Sequence, residues 1–140
     1  MKFLLDTNVV SEVRRKAPNP KVLSWMEQTE PDSLAISVLT LGEIVKGAES
    51  LAHRDPAASQ SLYAWLEGLR HNFANRILGI DDAVSVIWGR LCAIRPLPVI
   101  DSLLAASALA HDMTIVTRNT ADFERAGVRL YNPWTGFKSS

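Results

Sequence analysis

The chain is short of cysteine, of long apolar runs and of excess charge, and each shortage removes a class of answers. Cys92 is the only cysteine, so neither an internal disulfide nor a cysteine metal cluster can form, which fits a reducing cytoplasm. Lys2 is followed by three apolar residues before Asp6, and the apolar stretch from Leu97 to Ala110 is interrupted by Asp101. Neither run makes a signal-peptide core or a membrane span, and no export and no membrane association are expected. Basic and acidic residues number 15 each, so a nucleic-acid partner would have to be held by local charge rather than a broad basic field. His53, His71 and His111 lack zinc-type spacing. The sequence also has no GxGxxG, P-loop or GxSxG pattern, which weighs against dinucleotide binding, ordinary NTP hydrolysis and serine hydrolysis.

What is present suits one globular unit. At 140 residues, 47% hydrophobic and 21% charged, residues 1–140 can build a single core with no disordered tract or linker. Short apolar or β-branched runs predict strands at Lys2–Leu5, Ser33–Ile36, Ile77–Ile80, Thr114–Thr117 and Val128–Tyr131. Helical periodicity covers Val9–Arg15, Pro20–Gln28, Ser37–Leu51, Pro56–Asn75, Ala83–Ala93 and Asp101–His111, with a helical turn near Ala121–Arg125. Strands alternating with helices imply a mostly parallel sheet covered on both faces. Trp25, Met26, Trp65 and Trp88 fall on amphipathic stripes and are read as core.

In such sheets ligands collect beyond the carboxyl ends of the strands. Asp6-Thr7-Asn8 follows the first predicted strand, Thr117-Arg118-Asn119 follows TIVT, and Asp122 lies in the next turn. Asp101 opens an apolar helix, where its carboxylate can cap the helix, bind a ligand, or do both. Glu43 closes the formal capping box Thr40-Leu-Gly-Glu43. If the helix begins by Val38 instead, Glu43 sits on its polar face beside Lys46 and Gly47. Were Asp6, Glu43, Asp101 and Asp122 to converge, their mutual repulsion would be relieved most simply by a divalent cation. An all-oxygen set suits Mg²⁺ or Mn²⁺ and points to phosphodiester chemistry. Thr7, Asn8, Thr117 and Asn119 would then hold waters or substrate oxygens, or serve ordinary turn chemistry. Arg14, Arg15, Lys46 and Arg118 can add positive charge beside them.

The segments FLLDTNVVSE, SVLTLGEIVKGAE, PVIDSLLAASALAHDMTIVTRNTADF and VRLYNPW, taken in order, resemble a PIN-domain nuclease of the VapC or FitB-like toxin type over nearly the whole chain. The resemblance implies a three-layer α/β/α sandwich, with Asp6, Glu43, Asp101 and Asp122 as the acidic metal site and Thr117 and Asn119 lining it. It further implies Mg²⁺- or Mn²⁺-supported endoribonuclease cleavage of RNA, a homodimer, and a small antitoxin partner that blocks the site. Two other readings stay open: a housekeeping PIN-type nuclease or metallophosphatase, and a catalytically silent module that holds a basic partner segment on the acidic rim.

Overall fold

The computed structural model describes residues 1–139. Its sheet is built from β1 (Phe3–Leu5), β2 (Leu34–Ser37), β3 (Ile77–Leu78), β4 (Thr114–Val116) and β5 (Leu130–Tyr131). All pairings are parallel, in the order β3-β2-β1-β4-β5. The helices are α1 (Thr7–Arg14), α2 (Pro20–Gln28), α3 (Val38–Leu51), α4 (Pro56–Asn72), α5 (Asp82–Ile94) and α6 (Val99–Ala110).

Because side chains alternate across a strand, the sheet serves two cores. Leu4, Ala35 and Ile115 face Leu104, Ala105 and Ala108 of α6, together with Phe123 and Met113. Leu5, Ile36 and Val116 face Val9 and Val10 of α1, Val22 of α2, Ile44 of α3, and Leu66 and Leu69 of α4. This is the expected three-layer sandwich. Large buried side chains such as Phe123, 1% exposed, each contribute about 1.5–3 kcal/mol by leaving water. Trp25, Met26 and Trp65 pack against the second core. Trp88 is half-buried and donates its indole N–H to Ser102 Oγ at 3.0 Å. Among the described residues no helix is long and apolar enough to cross a membrane.

Several boundaries differ from the sequence reading for local reasons. The last helical pattern before β3 stops at Asn72 rather than Asn75, and Asn75 takes a left-handed φ of 73°, a conformation that asparagine tolerates but a helix does not. The first helix begins two residues early, at Thr7, because Asp6 Oδ1 accepts the Thr7 N–H at 2.8 Å. The helix predicted from Asp101 begins at Val99, directly after Pro98 with its φ of −54°. Gly127, with φ 71°, turns the chain out of the short 3-10 helix Glu124–Ala126 into β5, a geometry glycine adopts without strain.

The topology places β1 at the centre. The chain moves outward from β1 through β2 to β3, then returns by way of α5 and α6 to lay β4 on β1's other side. The reversal falls between β1 and β4, which opens a crevice beyond their carboxyl ends.

Candidate active site

Asp6 and Thr117 leave the sheet side by side at that crevice. The Thr117 hydroxyl, 0% exposed, donates to Asp6 Oδ2 at 2.8 Å. It accepts from the Asn119 N–H at 3.0 Å and from Asn8 Nδ2 at 3.3 Å, which fills the one donor and two acceptor sites of a hydroxyl. Asn8 Nδ2 also reaches Asp6 Oδ2 at 3.4 Å, and Asn8 Oδ1 accepts the Arg118 N–H at 3.3 Å. Asn8 therefore ties the loop after β1 to the loop after β4.

Thr7 does more than shape the turn behind Asp6. Its hydroxyl donates to Glu43 Oε1 at 2.7 Å and lies 3.0 Å from the hydroxyl of Thr40. A hydroxyl carries one proton. With that proton committed to Glu43, Thr40 is the donor to Thr7, and the three groups form a directed chain from Thr40 through Thr7 to Glu43. Thr40 is 1% exposed, and chained hydrogen bonds polarise one another in a low-dielectric setting.

The capping alternatives for Glu43 and Asp101 both fail. Ser37 is the N-cap of α3, its Oγ accepting the Leu39 N–H at 3.0 Å. Thr40 and Glu43 are thus the third and sixth residues of the helix rather than the ends of a capping box. Asp101 is the third residue of α6, whose cap position is Pro98, and among the described residues its carboxylate accepts no hydrogen bond. Asp122 ends the short 3-10 turn Thr120–Asp122, exposed and likewise without a capping bond. The Asn119 side chain caps nothing either, so its backbone N–H is what joins the network.

Repulsion is felt between neighbouring members of the set. Burial pushes the Asp6 carboxyl above its usual range; the bonds from Thr117 and Thr7 oppose this, and the charges of Glu43 and Asp101 add to it. Asp101 is likewise raised, first by burial and then by Asp122 and Glu43. Each carboxylate in the set is therefore coupled to another member. Among the described residues no three His, Cys, Asp or Glu side chains close tightly enough to grip an ion directly. The set's oxygen-only chemistry is nonetheless of the kind that a hard, largely hydrated cation takes.

Beside Glu43 a groove of about 530 Å³ runs along α3, lined by Val38, Gly42, Lys46, Gly47 and Ile100. A Cβ added at Gly47 would meet only Leu62 Cδ1, at an ordinary 3.9 Å. The glycine is thus not needed for close helix packing, and it leaves the face beside Lys46 open.

Two residues of the neighbourhood escaped sequence reasoning. Asn132, 8% exposed, donates Nδ2 to the Arg118 carbonyl at 3.3 Å and accepts the Trp134 N–H on Oδ1 at 2.8 Å. Trp134 in turn lies under the Arg118 guanidinium, 5.2 Å from ring centre to carbon. The only sequence signal was the tail YNPW, whose polar and aromatic residues could as well have been core.

A sequence profile described as PIN domain matches residues 3–128. The chain belongs to the PIN domain family. Over 139 residues, 94% of this chain and 98% of the relative, this PIN domain is 34% identical to plasmid stability protein StbB of Pseudomonas syringae pv. tomato. It is 32% identical over 138 residues, 94% of this chain and 98% of the other, to toxin FitB of Neisseria gonorrhoeae. To VapC ribonuclease Y4jK of Sinorhizobium fredii it is 32% identical over 140 residues, 94% and 97% of the two chains. Among solved structures, FitAcB from Neisseria gonorrhoeae superposes with a TM-score of 0.84 at 32% identity, covering 94% of this chain and 98% of that one.

Proposed function

We propose that this PIN domain is a divalent-metal-dependent endoribonuclease, the toxin of a toxin–antitoxin pair, which cleaves RNA phosphodiester bonds by attack of water. The observation that carries the reading is a half-buried carboxylate, Asp6, set at the sheet's crevice, bonded to Thr117 and Thr7, and raised first by burial and then by the charges of Glu43 and Asp101. The names of its relatives, toxin FitB and VapC ribonuclease, support the same chemistry.

Asp6, Glu43, Asp101 and Asp122 would hold the cation, directly or through its waters, and their all-oxygen character favours Mg²⁺ or Mn²⁺. When bound, such an ion supplies Lewis acidity to the phosphodiester and a water of lowered pKa. The protein's own groups do the positioning. Thr117 and Thr7 N–H fix both oxygens of Asp6, while the Thr40–Thr7 chain aims Glu43. Asn8 and the Asn119 N–H hold the second strand end in register with the first. Arg118 and Lys46 flank the carboxylates with positive charge suited to RNA phosphates.

A toxin of this kind needs an inhibitor inside the cell that makes it, so the proposed partners are an RNA substrate and a small cognate antitoxin protein, the active form being a homodimer. The deciding experiment incubates the full chain with structured RNAs in Mg²⁺, in Mn²⁺ and in chelator, beside Asp6→Ala and Asp101→Ala. Cleavage by the parent in metal alone is expected. Cleavage that survives in chelator or in both variants overturns the metal-nuclease reading, and unaffected growth on expression of an active protein overturns the toxin reading.

A further inference from the structure

Next to the carboxylates, but not among them, lies a pocket of about 250 Å³ between the turn joining α1 to α2 and the loops that follow β4 and β5. Glu12, Arg15, Asn19, Pro20, Arg118 and Trp134 line it. Its wall is charged in one direction. Glu12 is 6% exposed and fully engaged, accepting the Asn19 N–H at 2.8 Å and Arg15 Nη1 at 3.3 Å. The Asn19 bond, helped by Arg15 and Arg118 and opposed by burial, holds the Glu12 carboxyl below its usual range. Against that one carboxylate stand two guanidinium groups, and among the described residues Arg118 has no carboxylate within salt-bridge distance.

Arg118 is also held in place. Its N–H is bonded to Asn8 and its carbonyl to Asn132, and its guanidinium stacks over Trp134, itself fixed by Asn132. An arginine seated over an indole ring, 5.2 Å from its centre, offers an aromatic-backed cationic plane, a surface on which unpaired bases stack and which also meets phosphate. Thr117, the neighbour of Arg118 in the chain, is bonded to Asp6, so a strand whose phosphate sits at the carboxylates runs directly past this plane.

We infer that this pocket seats one unpaired nucleotide of the RNA adjacent to the cleaved bond, its base stacked on the Arg118–Trp134 pair and its phosphate met by Arg15 and Arg118. The inference rests on the ribonuclease reading and adds that the substrate is single-stranded at the site. It gives Trp134 and Arg118 a role in substrate affinity, and Asn132 the role of a positioning residue that acts through both.

The test measures fluorescence anisotropy with a short unstructured oligoribonucleotide on the full chain carrying Asp6→Asn to prevent turnover. Arg118→Ala and Trp134→Ala are each expected to weaken binding roughly 5- to 100-fold, while Trp134→Phe, which keeps a π-face, stays within about threefold. The slope of log affinity against log salt should fall by about 0.7 in Arg118→Ala, the loss of one single-strand phosphate contact. The same oligonucleotide annealed to its complement should bind alike in all four proteins. Melting temperatures check folding, and if Trp134→Ala unfolds, the exposed Arg118 decides the matter. Unchanged single-strand affinity in a folded Arg118→Ala, together with an unchanged KM for that variant in the active background, as for a pocket that takes an acidic protein segment instead, overturns the pocket while leaving the nuclease intact. Conversely, absence of cleavage by the parent with metal, alongside Arg118-dependent RNA binding, overturns the nuclease and not the pocket.

Discussion

The two ends of α1 carry two carboxylates with opposite fates, Asp6 half-buried and Glu12 buried. Asp6 at its start is pushed up, first by burial, and its neighbours Glu43 and Asp101 push it further. Glu12 in its last turn is held down, because a backbone N–H and an arginine meet its oxygens. Burial opposes ionisation at both ends; what differs is company. At Glu12 the charge is compensated inside the fold; at Asp6 the charges of Glu43 and Asp101 stand against it instead, the setting in which the proposed function puts a cation.

The strongest way to break the comparison is to neutralise its upper member. Asp6→Asn is expected to lower RNA cleavage by more than about 10²-fold, a loss typical of removing one centrally placed electrostatic group. The same change should raise the melting temperature of the metal-free protein at neutral pH, because it relieves repulsion; single-turnover cleavage and calorimetry in chelator check the two halves. A variant less stable than the parent would mean that the bonds Asp6 accepts from Thr7 and Thr117 outweigh the repulsion it suffers.

Next, adding the cation should supply to Asp6 what Glu12 already has. Mg²⁺ or Mn²⁺ at 100 times its dissociation constant is expected to stabilise the parent by about 2.7 kcal/mol. The gain should vanish in Asp6→Asn, as read by thermal melts with and without metal.

Thr40→Val tests the chain that aims Glu43. It removes one hydroxyl from a residue 1% exposed and is expected to cost roughly 10- to 100-fold in metal affinity or cleavage, the scale of losing a group that orients a ligand. Thr40→Ser should restore most of it, and failure of serine to rescue would assign the loss to packing.

The smallest effects are in the pH profile of the metal-free protein. Asp6 has a folded-state pKa above its unfolded value, so the cost of ionising it is fully present above the folded value and fades as pH falls through it. Glu12 has the opposite sign: its contribution is present above the unfolded pKa and is lost as pH falls through the folded one. Stability should therefore peak in mildly acidic buffer. Asp6→Asn should flatten the neutral limb and Glu12→Gln the acid limb, each followed by thermal melts in chelator.

How much of this could be read from the sequence depended on how local the cause was. The five strands were visible because each is a short apolar or β-branched run, and the placement of Asp6, Thr117 and Asp122 at strand ends and turns follows from chain order alone. Asp101, read as opening its helix, is in fact its third residue, because Pro98 leads straight into α6. The bond from Thr7 to Glu43 spans 36 residues of sequence, and no periodicity encodes a contact between two separate helices. Nothing in the residue pattern marks Glu12, for its partner Asn19 lies beyond the helix end. The Arg118–Trp134 stack depends on Asn132, whose two bonds no pattern of residue types announces.

The joining of β4 to β1 also has a consequence in time. Asp6 and Thr117 are 111 residues apart, and Asp101 and Asp122 are supplied by the same late stretch of chain. Synthesis at roughly 5–20 residues per second leaves an interval of several seconds in which the ribosome has made Asp6 and Glu43 but not the later residues that complete the proposed site. Under the proposed function, a chain that threatens the RNA of its own cell stays without its full carboxylate set until synthesis is nearly finished.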